Sequence, residues 1–221
     1  MKTLLFSLLL LSTLSPVYGV EGLTIGNSFQ VDHEGQVFRG KEPKQLVSEL
    51  ANIHITDVLI FKNELKTEVQ TEINDLKTLK IKPHHIPFRW KQLESTAIAC
   101  GQVVDALNLI ANTKQANGSI YFHCTMGEDR TGMLAGLYRM LEENLTMERV
   151  FKTEMCARGY SDGNVNKPGM VYGAIQKELT PLFIALAKKI EERKFVLGKV
   201  PKAFCQTLKV EPTTLRCKSV K

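Results

Sequence analysis

The chain has 221 residues, 43% of them hydrophobic, with 29 lysines and arginines against 23 acids and a net charge of +6. That length and apolar content suit one domain with a full core. The basic balance fits an anionic partner, while the lack of a long basic tract or of aromatic-basic interleaving argues against nucleic acid.

Residues 1–19 read as a signal peptide, with a basic start at Lys2, an almost wholly apolar run over residues 4–11 and cleavage expected after Gly19. The run is too short to span a bilayer comfortably. The mature protein is therefore expected to be secreted or periplasmic, with no stable membrane anchor. Residues 20–198 are read as the domain and 199–221 as a C-terminal tail. Residues 36–39 read as a strand, 43–51 as a helix opening on Pro43, 57–61 as a buried strand and 67–79 as an amphipathic helix. A further strand is expected over 84–88 and a long helix over 96–116, closed by Asn117 and Gly118. Residues 119–123 form the central strand, followed by a helix to about Asn144. Thr146 caps the next helix, which runs to Met155. The last helix covers 172–194 and is broken or kinked at Pro181. Strands alternating with helices predict an α/β fold with a central, largely parallel sheet flanked by helices. The ligand loop then lies at the carboxyl end of the central strand.

That loop is His123-Cys124-Thr125-Met126-Gly127-Glu128-Asp129-Arg130-Thr131-Gly132. A strand, a tight loop and a helix place backbone N–H groups around one concavity that binds an anion. A thiolate at its base can attack the phosphorus of a phosphate monoester. The planar fork of an arginine can follow two non-bridging oxygens into the transition state. Cys124 is the candidate nucleophile, with a depressed pKa, and Arg130 the candidate phosphate clamp. Thr125, Met126, Gly127 and Glu128 complete the substrate-binding loop.

In an oxidising compartment Cys100, Cys156, Cys205 and Cys217 allow three pairings. Cys205 with Cys217 is the favoured pair, because residues 210–213 between them can turn the tail back. Cys100 and Cys156 fall in core-facing helical segments, where buried free thiols are the alternative. His33, His54, His84 and His85 show no metal-ligand spacing, so neither a metal nor a cofactor is expected.

The chain resembles the cysteine-dependent phosphatases of the protein tyrosine phosphatase superfamily, whose signature is His-Cys, five residues, Arg, then Thr or Ser. His123, Cys124, Gly127, Arg130, Thr131 and Gly132 fill its defining positions, and Gln36-Val37-Phe38-Arg39-Gly40-Lys41-Glu42-Pro43 resembles the entry segment of small dual-specificity-type domains. Within the superfamily the chain looks most like small secreted bacterial members, of which the phytase-like group is the nearest. The resemblance implies that Thr131 donates its hydroxyl to the thiolate and that His123 braces the loop. It also implies a general acid, commonly an aspartate on a separate upstream loop. Residues 86–95 match that loop but hold no aspartate. Asp129, just before the signature arginine as in some bacterial relatives, and Glu94 are the two candidates. The alternative for Asp129 is a carboxylate paired with Arg130 or a lysine to hold the loop's shape.

Arg39, Lys41, Lys62, Arg89 and Lys91 are candidates to ring the pocket, with Arg89 and Lys91 preferred because they flank the candidate lid. Trp90 is a candidate either for one wall of the pocket or for packing beneath the lid. The resemblance also implies a later loop that orients the hydrolytic water, for which Asn164, Asn166 and Asp162 in the polar stretch 157–168 are the candidates. The sequence thus points to a phosphatase acting through a phosphocysteine on a phosphorylated small molecule or phosphoprotein, with soluble inositol polyphosphate preferred. A protein tyrosine or dual-specificity phosphatase is the enzyme alternative, and a pseudo-phosphatase that binds phosphorylated ligands is the alternative of another class.

Overall fold

Ile120-Tyr121-Phe122-His123-Cys124 is buried on both faces, the burial of a strand covered by helices on each side. This is β5 (Ile120–Cys124), and it forms the centre of a five-stranded sheet. The computed structural model describes residues 19–89, 95–193 and 195–220. The other strands are β1 (Phe29–Gln30), β2 (Val37–Lys41), β3 (Asp57–Ile60) and β4 (Lys82–His85), in the order β1-β2-β5-β3-β4. β1 pairs antiparallel with β2, and the remaining neighbours are parallel. The architecture is the expected α/β fold with a largely parallel sheet.

The period-two alternation of strand side chains divides the interior. Val37, Leu59 and Phe122 face α3 (Thr96–Gln115) and α4 (Asp129–Glu143) in one core. Phe38, Val58, Ile60 and Tyr121 face α1 (Val47–Asn52) and α2 (Glu68–Thr78) in the other. α4 is buried nearly all round over its first ten residues, as a central helix must be. Asn144 ends it in the left-handed conformation, at φ 54°. Ser95 caps α3 by accepting the N–H groups of Ala97 and Ile98.

Several boundaries differ from the sequence expectation. The strand expected over 84–88 lies two residues earlier, because Lys82–His85 pairs with β3 while Phe88 turns inward to stack on Phe61 at 4.5 Å. After α5 (Met147–Val150) the chain widens into a π-turn, Phe151–Met155. α6 (Gly169–Ala174) and α7 (Thr180–Arg193) flank a second π-turn, Ile175–Leu179. The helical run continues through Pro181, which follows the π-turn, so the chain is not broken there, and the wider turn accommodates the N–H that proline lacks. β1 has two residues, too few to show a period.

The cysteine pairing is corrected. The disulfides are Cys100–Cys205 and Cys156–Cys217, not Cys205–Cys217, and neither Cys100 nor Cys156 is a free thiol. Cys205 and Cys217 are drawn apart because the tail is spread over the domain surface. Val200 exchanges two hydrogen bonds of 2.9 Å with the Asn108 side chain, and Phe204 and Leu208 enter the core beside α3. Cys124 keeps its free thiol, as expected.

Candidate active site

The site is assembled where β5 hands over to α4. Cys124 is the last residue of the strand and is 3% exposed. Asp129 is the first residue of the helix, with Arg130 and Thr131 in the same turn. The helix N-terminus and its free N–H groups favour an anion in the intervening loop. Gly127 makes the loop's shape possible. Its φ is +68°, and a Cβ there would lie 2.4 Å from the Gly40 carbonyl carbon. Only glycine fits that packing and that conformation.

Two side chains remote in sequence fasten the same loop. The Gly127 carbonyl accepts from Asn27 Nδ2 at 2.7 Å and from Arg39 Nη2. Arg39 is fully buried, and its Nη1 donates to Glu154 Oε1 at 2.7 Å. Glu154 also meets Arg139 at 3.3 Å and Arg158 at 3.1 Å. Three guanidinium groups around one buried carboxylate form a brace beneath the loop. Arg39 is therefore not a pocket-lining cation.

Burial pushes the Cys124 thiol up, but the Arg130 guanidinium and the hydroxyl and N–H of Thr131 outweigh it. The net result is a pKa below that of an ordinary cysteine. Arg130 is 8% exposed and donates to Thr125 Oγ1 at 3.2 Å and, weakly, to Phe88 O at 3.5 Å. Among the described residues neither partner is a carboxylate, so the fork keeps its charge for a ligand. Thr125 and Met126 are exposed at the loop's rim.

His123 is fully buried. Its Nε2 lies 2.8 Å from Glu72 Oε1, and its Nδ1 lies 3.2 Å from the Cys124 carbonyl. Burial opposes the imidazolium, yet the Glu72 carboxylate prevails and raises the histidine's pKa. The Glu72 carboxylate and the Cys124 carbonyl thus hold the ring from both of its nitrogens directly beside the loop.

Asp129 and Glu128 face the segment 159–168. Asp129 Oδ1 accepts from the Ser161 N–H at 2.8 Å and from Lys167 Nζ at 2.6 Å. Glu128 accepts from Asn164 Nδ2 at 2.9 Å and pairs with Lys167 at 3.0 Å. Burial raises the Asp129 carboxyl's pKa more than Lys167 and Ser161 lower it. A carboxyl with a raised pKa beside Arg130 has the property a general acid needs. Asn164 is turned toward Glu128.

The remaining sequence candidates fall in different places. Lys41 is in register with Cys124 across β2 and β5, and Arg89 is exposed directly after Phe88. Lys62 is 3% exposed and bound to Glu42 at 2.7 Å, which removes it from the pocket. Trp90, Lys91 and Glu94 lie outside the described residues. Sequence reasoning missed Asn27, Glu72, Glu154 and Lys167. The one available signal was a glutamate at 154 spaced to share the buried face of its turn with Phe151 and Met155.

A family model described as the tyrosine phosphatase family matches residues 30–143. No curated protein matches the chain in sequence. Among solved structures, the chain is similar to the core catalytic domain of the PP-IP phosphatase SIW14 from S. cerevisiae. That match has 24% identity and a TM-score of 0.52, covering 69% of this chain and 85% of that one. It is also similar to Tk-PTP in its active form, at 17% identity and a TM-score of 0.53, covering 76% of this chain and 97% of that one. P. aeruginosa TpbA in complex with pTyr matches at 18% identity and a TM-score of 0.52, covering 79% of this chain and 99% of that one.

Proposed function

The chain belongs to the tyrosine phosphatase family and is a phosphatase, and from that premise we propose that it is an exported enzyme hydrolysing inositol polyphosphates through a phosphocysteine. Cys124 sulfur attacks phosphorus while the bond from phosphorus to the leaving oxygen breaks. Asp129 gives its proton to that oxygen and becomes a carboxylate. Water then attacks phosphorus as the S–P bond breaks, its proton passing to the Asp129 carboxylate, so that phosphate is released and both the thiolate and the acid are restored. Arg130 and the loop N–H groups bind the equatorial oxygens in both steps. The carrying observation is geometric: Cys124 ends β5 and Asp129, Arg130 and Thr131 open α4 around a tight loop that only Gly127 permits, with the Arg130 fork on Thr125.

Three observations support the substrate class. The mature chain stays basic, since the leader carries Lys2 and no acid. Lys41 and Arg89 stand near the loop, where further phosphates of a polyanion would bind. SIW14, with which this chain shares its fold, is a PP-IP phosphatase. Export is supported by the apolar leader and by two disulfides. No helix of the described residues is long and apolar enough to cross a membrane.

The test is phosphate release by the purified chain from inositol hexakisphosphate and from a phosphotyrosine peptide, with Cys124→Ser as control. Preferential, Cys124-dependent release from the inositol compound is expected. Preference for the peptide would replace this substrate class with phosphotyrosine protein.

A further inference from the structure

The segment 159–168 supplies none of the reacting groups, yet its polar groups converge on the two carboxylates before Arg130. Lys167 is central to this arrangement. Its Nζ lies 2.6 Å from Asp129 Oδ1, 3.0 Å from Glu128 Oε2 and 2.9 Å from the Gly159 carbonyl. The ammonium donates to Asp129 and to the Gly159 carbonyl and makes an ion pair with Glu128. The side chain is 6% exposed, so this charge is committed inside the protein. The segment is itself anchored. Cys156 precedes it, the Cys156–Cys217 disulfide ties it to the tail, and Asp162 Oδ1 accepts the Cys217 N–H at 3.0 Å.

Both hydrogen bonds to Asp129 end on Oδ1. Among the described residues Oδ2 accepts none, which leaves it as the oxygen able to carry a transferable proton. We propose that Lys167 is the positioning residue of the general acid, tethering Oδ1 of Asp129 so that Oδ2 presents the proton to the leaving group. This rests on the reading of Asp129 as that acid.

The charge arrangement explains how a lysine can hold this carboxyl without bringing its pKa below the ordinary carboxyl value. Glu128 and Asp129 share a single ammonium, and two carboxylates against one cation leave an excess negative charge. That excess disfavours ionising both. Burial of Asp129 acts in the same direction, and Lys167 acts against it. Removing Lys167 therefore raises the pH at which Asp129 gives up its proton and also frees its geometry.

The experiment compares Lys167→Met with the unaltered chain on an alkyl phosphate, whose leaving group needs an acid, and on an activated aryl phosphate, which needs little. The basic limb of kcat on the alkyl phosphate is expected to move upward by at least about one pH unit. kcat on that substrate at neutral pH is expected to fall about tenfold or more, with a much smaller loss on the aryl phosphate. Lys167→Gln keeps a donor without the charge and gives the same limb shift where the methionine variant does not fold. An unmoved limb in a folded variant, or equal losses on both substrates, would overturn the role of Lys167. Asp129→Asn separates the two levels. If it too slows both substrates equally, the acid is not Asp129 and the assignment of Lys167 falls with it. If it selectively slows the alkyl phosphate while Lys167→Met keeps the normal limb, only the role of Lys167 is lost.

Discussion

On the thiolate side of the site, the proposed chemistry falls to consecutive residues of one strand, one loop and one helix. β5 ends at Cys124, α4 begins at Asp129, and Gly127 is wedged against the Gly40 carbonyl between them. On the acid side, Asp129 is oriented by Ser161 and Lys167, some thirty or more residues away, and their segment is tied to the tail through Cys217. The contrast separates a reacting group that secondary structure places from one that tertiary contacts must place. Damage to the thiolate side stops the reaction for every substrate. Damage to the acid side selects against poor leaving groups.

Substitutions on the thiolate side carry the largest expected effects. Cys124→Ser removes the nucleophile and is expected to lower phosphate release by at least about 10⁴-fold on alkyl and aryl substrates alike. Arg130→Lys keeps the charge but loses the planar fork, and about a 10³-fold loss in kcat is expected on both. An arginine substitution that spared aryl phosphates would erase the contrast between the two sides.

Asp129→Asn is the matching test of the acid side. About 10²-fold or more is expected to be lost from alkyl phosphate hydrolysis, with little change for an activated aryl phosphate. Cys217→Ser opens the closure of 61 residues between Cys156 and Cys217. The loop-entropy relation gives a stability loss of about 4 kcal/mol, read as a lower denaturant midpoint under non-reducing conditions. In that variant alkyl turnover is expected to fall more than aryl turnover, because the acid's support loosens while β5 and α4 remain.

The pH profile refines the comparison. Cys124 must be deprotonated, and its pKa lies below that of an ordinary thiol, so activity rises with pH earlier than free cysteine would allow. Asp129 must be protonated, and its pKa lies above that of an ordinary carboxyl, so activity falls later than a surface aspartate would allow. Asp129→Asn is expected to flatten the descending limb and leave the ascending one in place.

This division also explains how much was legible in the sequence. The central strand, the loop and the buried helix follow from an apolar run, a Cys-to-Arg spacing and a second apolar run, all local patterns. Asp129 could be named because it lies within that spacing. Its partner Lys167 reads in sequence as one lysine in a polar, glycine-punctuated stretch, and only the fold brings it within 2.6 Å. Arg39 carries the same lesson in reverse. An arginine at the end of a strand looks like a pocket cation, but Glu154 and the Gly127 carbonyl claim it from the far side of the chain. The cysteine pairing fails for a related reason, since a local turn over residues 210–213 favoured Cys205–Cys217 while the spread of the tail decides otherwise.

The most direct test is mass analysis of acid-quenched enzyme during turnover of an activated aryl phosphate. A covalent phosphoryl group on the peptide carrying Cys124, absent from Cys124→Ser, is the expected result. Turnover that continues in Cys124→Ser, or that proceeds with no adduct on that peptide, would contradict a reaction passing through the Cys124 thiolate.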